Sequence, residues 1–65
     1  MYILKENIDI NVNKTEASKI IGISRVYLTD ILNRRTKCTK VIAFCITKFF
    51  DLNAEISDYF EKKGE

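Results

Sequence analysis

Two stretches of the chain carry the same apolar rhythm. Ala17, Ile20 and Ile21 are spaced i, i+3, i+4, and so are Leu28, Ile31 and Leu32. That spacing puts each trio on one face of an α-helix. The first helix is predicted over Lys14 to Ile21, because Asn13 precedes it as an N-cap and Glu16 follows three positions later, the spacing of a capping box. The second is predicted over Arg25 to Asn33, with Ser24 as its N-cap. Only Gly22, Ile23 and Ser24 lie between them. Helices joined so tightly cannot run antiparallel and must cross steeply, with Gly22 supplying the positive φ that such a turn needs.

Beyond the turn-formers of Thr36 to Thr39, the run Val41, Ile42, Ala43, Phe44, Cys45, Ile46, Phe49 and Phe50 predicts a helix that is apolar on more than one face. A surface helix shows a narrower stripe, so this one is expected either to sit centrally in the core or to carry a second face for a partner subunit. Asn53 is expected to cap a last helix with Ile56, Tyr59 and Phe60 on one face, Glu55 and Asp58 near its start and Lys62 and Lys63 at its end. The first residues read two ways: Ile8, Ile10 and Val12 alternate like a strand, while Leu4 and Ile8 fit a helical turn. With no partner strand in sight, an isolated strand would leave its backbone groups unpaired, so a short helix over Ile3 to Ile10 is preferred. The expected fold is all-α, a compact bundle of about five short helices forming one domain over residues 1–65.

Composition narrows what such a bundle can do. The chain has no His or Trp, so zinc sites and Cys/His or Ser/His catalysis lack ligands or bases, and neither an enzyme nor a cofactor is expected. On one helix Cys38 and Cys45 would stand about 10 Å apart, too far for a disulfide, and they read as small apolar groups or as thiols for an intermolecular redox role. No apolar run reaches the roughly 18 residues of a membrane span, and Met1 to Leu4 is too short for a leader, so a cytoplasmic protein is expected. The net charge of +2 hides an asymmetry: residues 1–13 balance at −1, residues 14–40 at +5 and residues 41–65 at −2. A basic middle between mildly acidic ends suits a one-sided surface for a polyanion, and equally a solvated face with no ligand.

Removing the expected core positions from the second helix leaves Ser24, Arg25, Val26, Tyr27, Thr29, Asp30 and Asn33 to face outward. That set holds a guanidinium able to make a bidentate contact to guanine, an amide suited to adenine, hydroxyls, and an apolar group for a thymine methyl. Around it Lys14, Arg34, Arg35, Lys37 and Lys40 are placed to reach phosphates, and the free amides at the first helix start near Thr15 can donate to one.

The twenty residues Lys14 to Asn33 resemble the helix-turn-helix motif of the phage Cro and repressor-like proteins, the XRE family. The turn glycine of that motif falls on Gly22, its apolar positions on Ile21, Ile23, Leu28 and Ile31, and its usual contact positions on Lys14, Ser24, Arg25, Val26, Asp30 and Asn33. The family usually has Ala where this chain has Ser18 and often Gly where it has Arg34. Ser18 is small enough for the helix crossing, and Asn33 is expected to take the left-handed conformation the missing glycine would have supplied. The resemblance implies a lambda repressor-like domain acting as a phage-like transcription regulator, a repressor or its relative, on a double-stranded DNA operator. It also implies a homodimer, at least on DNA, with half-sites about 34 Å apart. The segment Val41 to Phe50 and the last helix are the candidates for that contact. Too small for a ligand pocket beside its core, the domain is expected to take no small molecule. The competing reading is a protein-interaction or antitoxin-like module that keeps the helix-turn-helix shape and binds a protein through its apolar C-terminal half.

Overall fold

The computed structural model describes residues 1–63; Gly64 and Glu65, the second of which entered the acidic balance of the C-terminal part, lie outside the described residues. The chain runs β1 (Tyr2–Leu4), α1 (Lys14–Ile21), α2 (Arg25–Leu32), α3 (Lys40–Phe50), α4 (Ile56–Tyr59) and β2 (Phe60–Lys62). About half of it is helical, and four helices with a two-stranded sheet replace the expected all-α bundle of five.

The two helices around Gly22 form where the pattern put them, α2 ending one residue early at Leu32, and both N-caps act as expected, although only one arm of the expected capping box at Asn13 is made. Asn13 Oδ1 accepts the Glu16 amide at 3.1 Å, and Ser24 Oγ accepts the Tyr27 amide at 3.0 Å. Gly22 ends α1 at φ 90°, and its amide and that of Ile23 both donate to the Ser18 carbonyl, at 2.8 and 3.1 Å. Leu28, Ile31 and Leu32 are buried as expected. The inner face of α1 differs from the prediction: Ala17 and Ser18 are buried and Ile21 is half-buried, while Ile20 stays 65% exposed. Ser18 tolerates burial because its hydroxyl donates to the Thr15 carbonyl at 3.0 Å.

The expected helix over Ile3 to Ile10 is absent: the chain instead opens with a strand at Tyr2–Leu4, before the alternating segment Ile8 to Val12, which forms no strand, and β1 has a partner at the other end of the chain. β2 pairs antiparallel with β1, Tyr2 opposite Lys62, Ile3 opposite Glu61 and Leu4 opposite Phe60. The last helix is correspondingly a single turn, capped from Glu55 rather than Asn53, with the Glu55 amide donating to Asp58 Oδ2 at 2.8 Å. Phe60 leaves it at φ −122°, ψ 152°, an extended conformation that delivers its ring to the core. A helix through Lys62 would have matched the same spacing of Ile56, Tyr59 and Phe60. Pairing the two chain ends satisfies backbone groups on both, and this decides for the strand. On its other side β1 exchanges two hydrogen bonds between Tyr2 and Cys38, at 2.7 and 2.8 Å.

The core gathers Leu4, Ile10, Leu28, Ile31, Cys38, Ile46 and Phe60 from every part of the chain. Each large side chain fully buried here contributes about 1.5–3 kcal/mol. Helix α3 packs centrally on one side, with Ala43, Ile46 and Thr47 buried, while Val41, Phe44 and Phe50 remain exposed on the other. Cys38 lies in the bridge with Tyr2 and Cys45 within α3, so the two do not share a helix, and both are free thiols. Burial pushes the Cys38 thiol up to about 11.

The irregular stretch between β1 and α1 keeps its period-two pattern without becoming a strand, with Ile10 buried and Ile8 and Val12 half-buried against the core. Arg34 holds its start. The guanidinium donates to the Lys5 carbonyl through Nη2 at 2.6 Å and Nε at 3.0 Å, to the Glu6 carbonyl at 3.0 Å, and to the Ile8 carbonyl.

Candidate nucleic-acid interface

At 100° per residue, Arg25, Val26, Thr29, Asp30 and Asn33 fall within an arc of about 140° on α2, and Tyr27, Leu28, Ile31 and Leu32 occupy the rest. The structure divides the helix accordingly. Arg25, Val26 and Asn33 are exposed, Val26 at 72%, and Thr29 and Asp30 are half-exposed. Arg25, Val26, Thr29 and Asp30, joined by Arg35, line a shallow hollow of about 320 Å³. Arg35 Nη1 stands 3.8 Å from Asp30 Oδ1, a loose and exposed pair worth little by itself but able to hold the guanidinium at the rim.

Two members of the outward set behave differently. Tyr27 turns back against the core cluster and is half-buried. Ser24 is exposed, but its hydroxyl is engaged in capping α2.

Among the cations expected to reach phosphate, Lys14 is the first residue of α1, beside exposed Thr15, and Arg35 and Lys37 are exposed on the turns after α2. Arg34 does not fit that role, since its guanidinium is spent on the carbonyls of Lys5, Glu6 and Ile8. The left-handed residue of the α2 exit is also Arg34, at φ 63°, and not Asn33, which sits at φ −92°. The left-handed conformation expected at Asn33 is therefore taken one residue later. Arginine occupies that position because its side chain supplies hydrogen bonds that glycine could not. Nothing in the local sequence announces this contact, whose partners lie 26 to 29 residues away.

Lys40 begins α3 and belongs to a different feature, a groove of about 660 Å³ between α3, α4 and the sheet, with Phe44, Ile56 and Phe60 among its walls. A chain this small was expected to have no room for such a space beside its core. No residue of α1 or α2 lines it.

Among the described residues no cluster of His, Cys, Asp and Glu gathers to hold a metal, and no helix is long and apolar enough to cross a membrane. No family model matches the chain, and neither a curated protein nor a solved structure matches it.

Proposed function

We propose that this protein binds double-stranded DNA sequence-specifically, laying α2 in the major groove, and regulates transcription in the manner of the Cro and repressor-like proteins its motif resembles. The observation that carries the reading is the contiguous outward arc of exposed Arg25, Val26 and Asn33 and half-exposed Thr29 and Asp30, along α2 and its C-cap, on a helix joined to α1 through the tight turn at Gly22. Arg25 suits guanine O6 and N7, Asn33 suits adenine, and the Val26 methyls suit a thymine methyl. Lys14, Arg35 and Lys37 flank that arc as phosphate contacts, and the uncommitted amides at the start of α1 near Thr15 add a further donor site. Such contacts give affinity, and the exposed arc gives preference among sequences. The protein acts as a binding protein rather than an enzyme, in the cytoplasm, and as a homodimer on its operator, with half-sites about one helical turn apart. The exposed apolar side chains of Phe50, the last residue of α3, and Leu52, in the turn beyond it, supply a contact between the copies.

Selection of bound sequences from a random duplex library at two salt concentrations tests this. An enriched site, palindromic with a spacing of about one turn, is the expected result. No enrichment and no salt-dependent retention would overturn the proposal.

A further inference from the structure

The outer side of β1 is bridged to Cys38 through Tyr2, whereas the outer side of β2 is open among the described residues. In an antiparallel pair, backbone groups point alternately toward and away from the partner strand. Lys5 donates to the Tyr59 carbonyl and Lys63 to the Met1 carbonyl, so Tyr59, Glu61 and Lys63 face β1. Phe60 and Lys62 must then point their groups outward. The Phe60 amide is taken by the Ile56 carbonyl. Among the described residues, nothing takes the Phe60 carbonyl or the amide and carbonyl of Lys62. The edge borders the groove: Phe60 and Lys62 share a face of the sheet with Tyr2 and Leu4, and Tyr2, Phe60 and Lys62 line the groove with Phe44 and Ile56.

We infer that this edge and groove take an extended, acidic-apolar segment of another protein, added as a third strand beside β2. A strand paired there directs alternate side chains to the face of Phe60 and Lys62. Apolar residues at those positions meet Phe44, which is 49% exposed, and Ile56. Carboxylates flanking them meet a surplus of positive charge, since Lys5, Lys40, Lys48 and Lys62 line the groove against Glu55 and Glu61. Lys48 is already oriented there, its ammonium bound to the Ala54 carbonyl at 2.6 Å and 5.6 Å from the centre of the Phe44 ring.

A second copy of the chain is the poorer occupant. Antiparallel self-pairing across this edge sets Glu61 opposite Glu61 or Lys62 opposite Lys62, and like charges directly opposed destabilise a strand pair. The remaining register, centred on Phe60, needs an amide that is already engaged.

The probe is a blocked synthetic peptide, Asp-Thr-Ile-Thr-Val-Thr-Asp, titrated into the isotope-labelled full chain and followed by amide chemical shifts. Shifts confined to Phe60–Lys62, Phe44 and Ile56 are expected. N-methylating one edge-facing amide of the peptide is expected to weaken binding about five-fold, the loss of one hydrogen bond. Replacing its Asp residues with Lys should abolish binding. Lys62→Pro removes an outward amide that β1 does not use, so it should weaken the peptide similarly while the far-ultraviolet spectrum is retained. Should that variant unfold, the N-methylated peptide decides. Several results would overturn the inference: no shift at millimolar peptide, binding indifferent to N-methylation, or a duplex DNA moving the same amides. Concentration-dependent self-association that moves the Lys62 amide would do so too, by giving the edge to a second copy.

Discussion

Arg34 offers the sharpest test of how this small fold is held together, because its backbone and its side chain pull in opposite energetic directions. Its φ of 63° costs a residue with a Cβ about 1–2 kcal/mol relative to glycine. Against that stand the charge-assisted hydrogen bonds to the Lys5, Glu6 and Ile8 carbonyls, made by a half-buried guanidinium. Discounted for partial exposure, the set is worth about 3 kcal/mol. Arg34→Ala keeps the backbone cost and loses the bonds, so it should destabilise by about 3 kcal/mol. Arg34→Gly loses the bonds and relieves the backbone, so it should destabilise by about 1–2 kcal/mol. A chain of this size has a total stability of about 3–10 kcal/mol, so the Ala variant should lose at least about a third of it. Urea titrations followed by circular dichroism at 222 nm give the order directly, provided the slopes agree among variants. The expected order is native, then Gly, then Ala. An Ala variant as stable as the native chain would show that the carbonyl contacts contribute nothing, and a Gly variant more stable than the native chain would show that they contribute less than the strain.

Four further outcomes are expected. Arg25→Ala should weaken specific DNA binding by about 1–3 kcal/mol and relax preference at one base pair, and equal loss on every sequence would defeat its assignment to a base. Arg35→Ala should reduce the logarithmic salt slope of binding by about 0.9 while Arg34→Gly leaves it unchanged; a flattened slope in the second variant would return Arg34 to the phosphate contacts. Thr47 is fully buried and its hydroxyl finds no partner among the described residues, so Thr47→Val should stabilise the fold by about 1 kcal/mol in the same urea assay, and a loss of stability would reveal an unseen partner. The Cys38 thiol ionises near 11 when folded against an ordinary value of 9.0, so the native state holds its proton more tightly than the unfolded chain does. The resulting stability is complete below pH 9 and is lost between 9 and 11; Cys38→Ala should flatten the fall of stability across that window, and parallel pH profiles would count against it.

The motif was legible because its determinants are local. Asn13, Ser24 and Thr39 cap the helices that follow them through hydrogen bonds to residues three positions on, and Gly22 takes the conformation that only glycine adopts cheaply. The division of α2 into buried and exposed arcs follows from helical periodicity once its start is known. Tyr27 escaped that logic, because an aromatic side chain near the arc's border goes wherever packing space exists.

By itself, then, the sequence determined the two helices either side of Gly22, most of the outer arc of α2 and the two-sided apolar character of α3, since each depends on interactions within about one helical turn. Tertiary structure alone decided that the chain ends form a sheet, that Arg34 binds the strand-to-helix connection instead of facing outward, and that a groove opens beside β2. Tyr2 and Lys62 are sixty residues apart in the chain and face each other in the sheet. No local propensity encodes such a pairing: three residues at either end favour a strand only because the core between them brings their unpaired backbone groups within reach of one another.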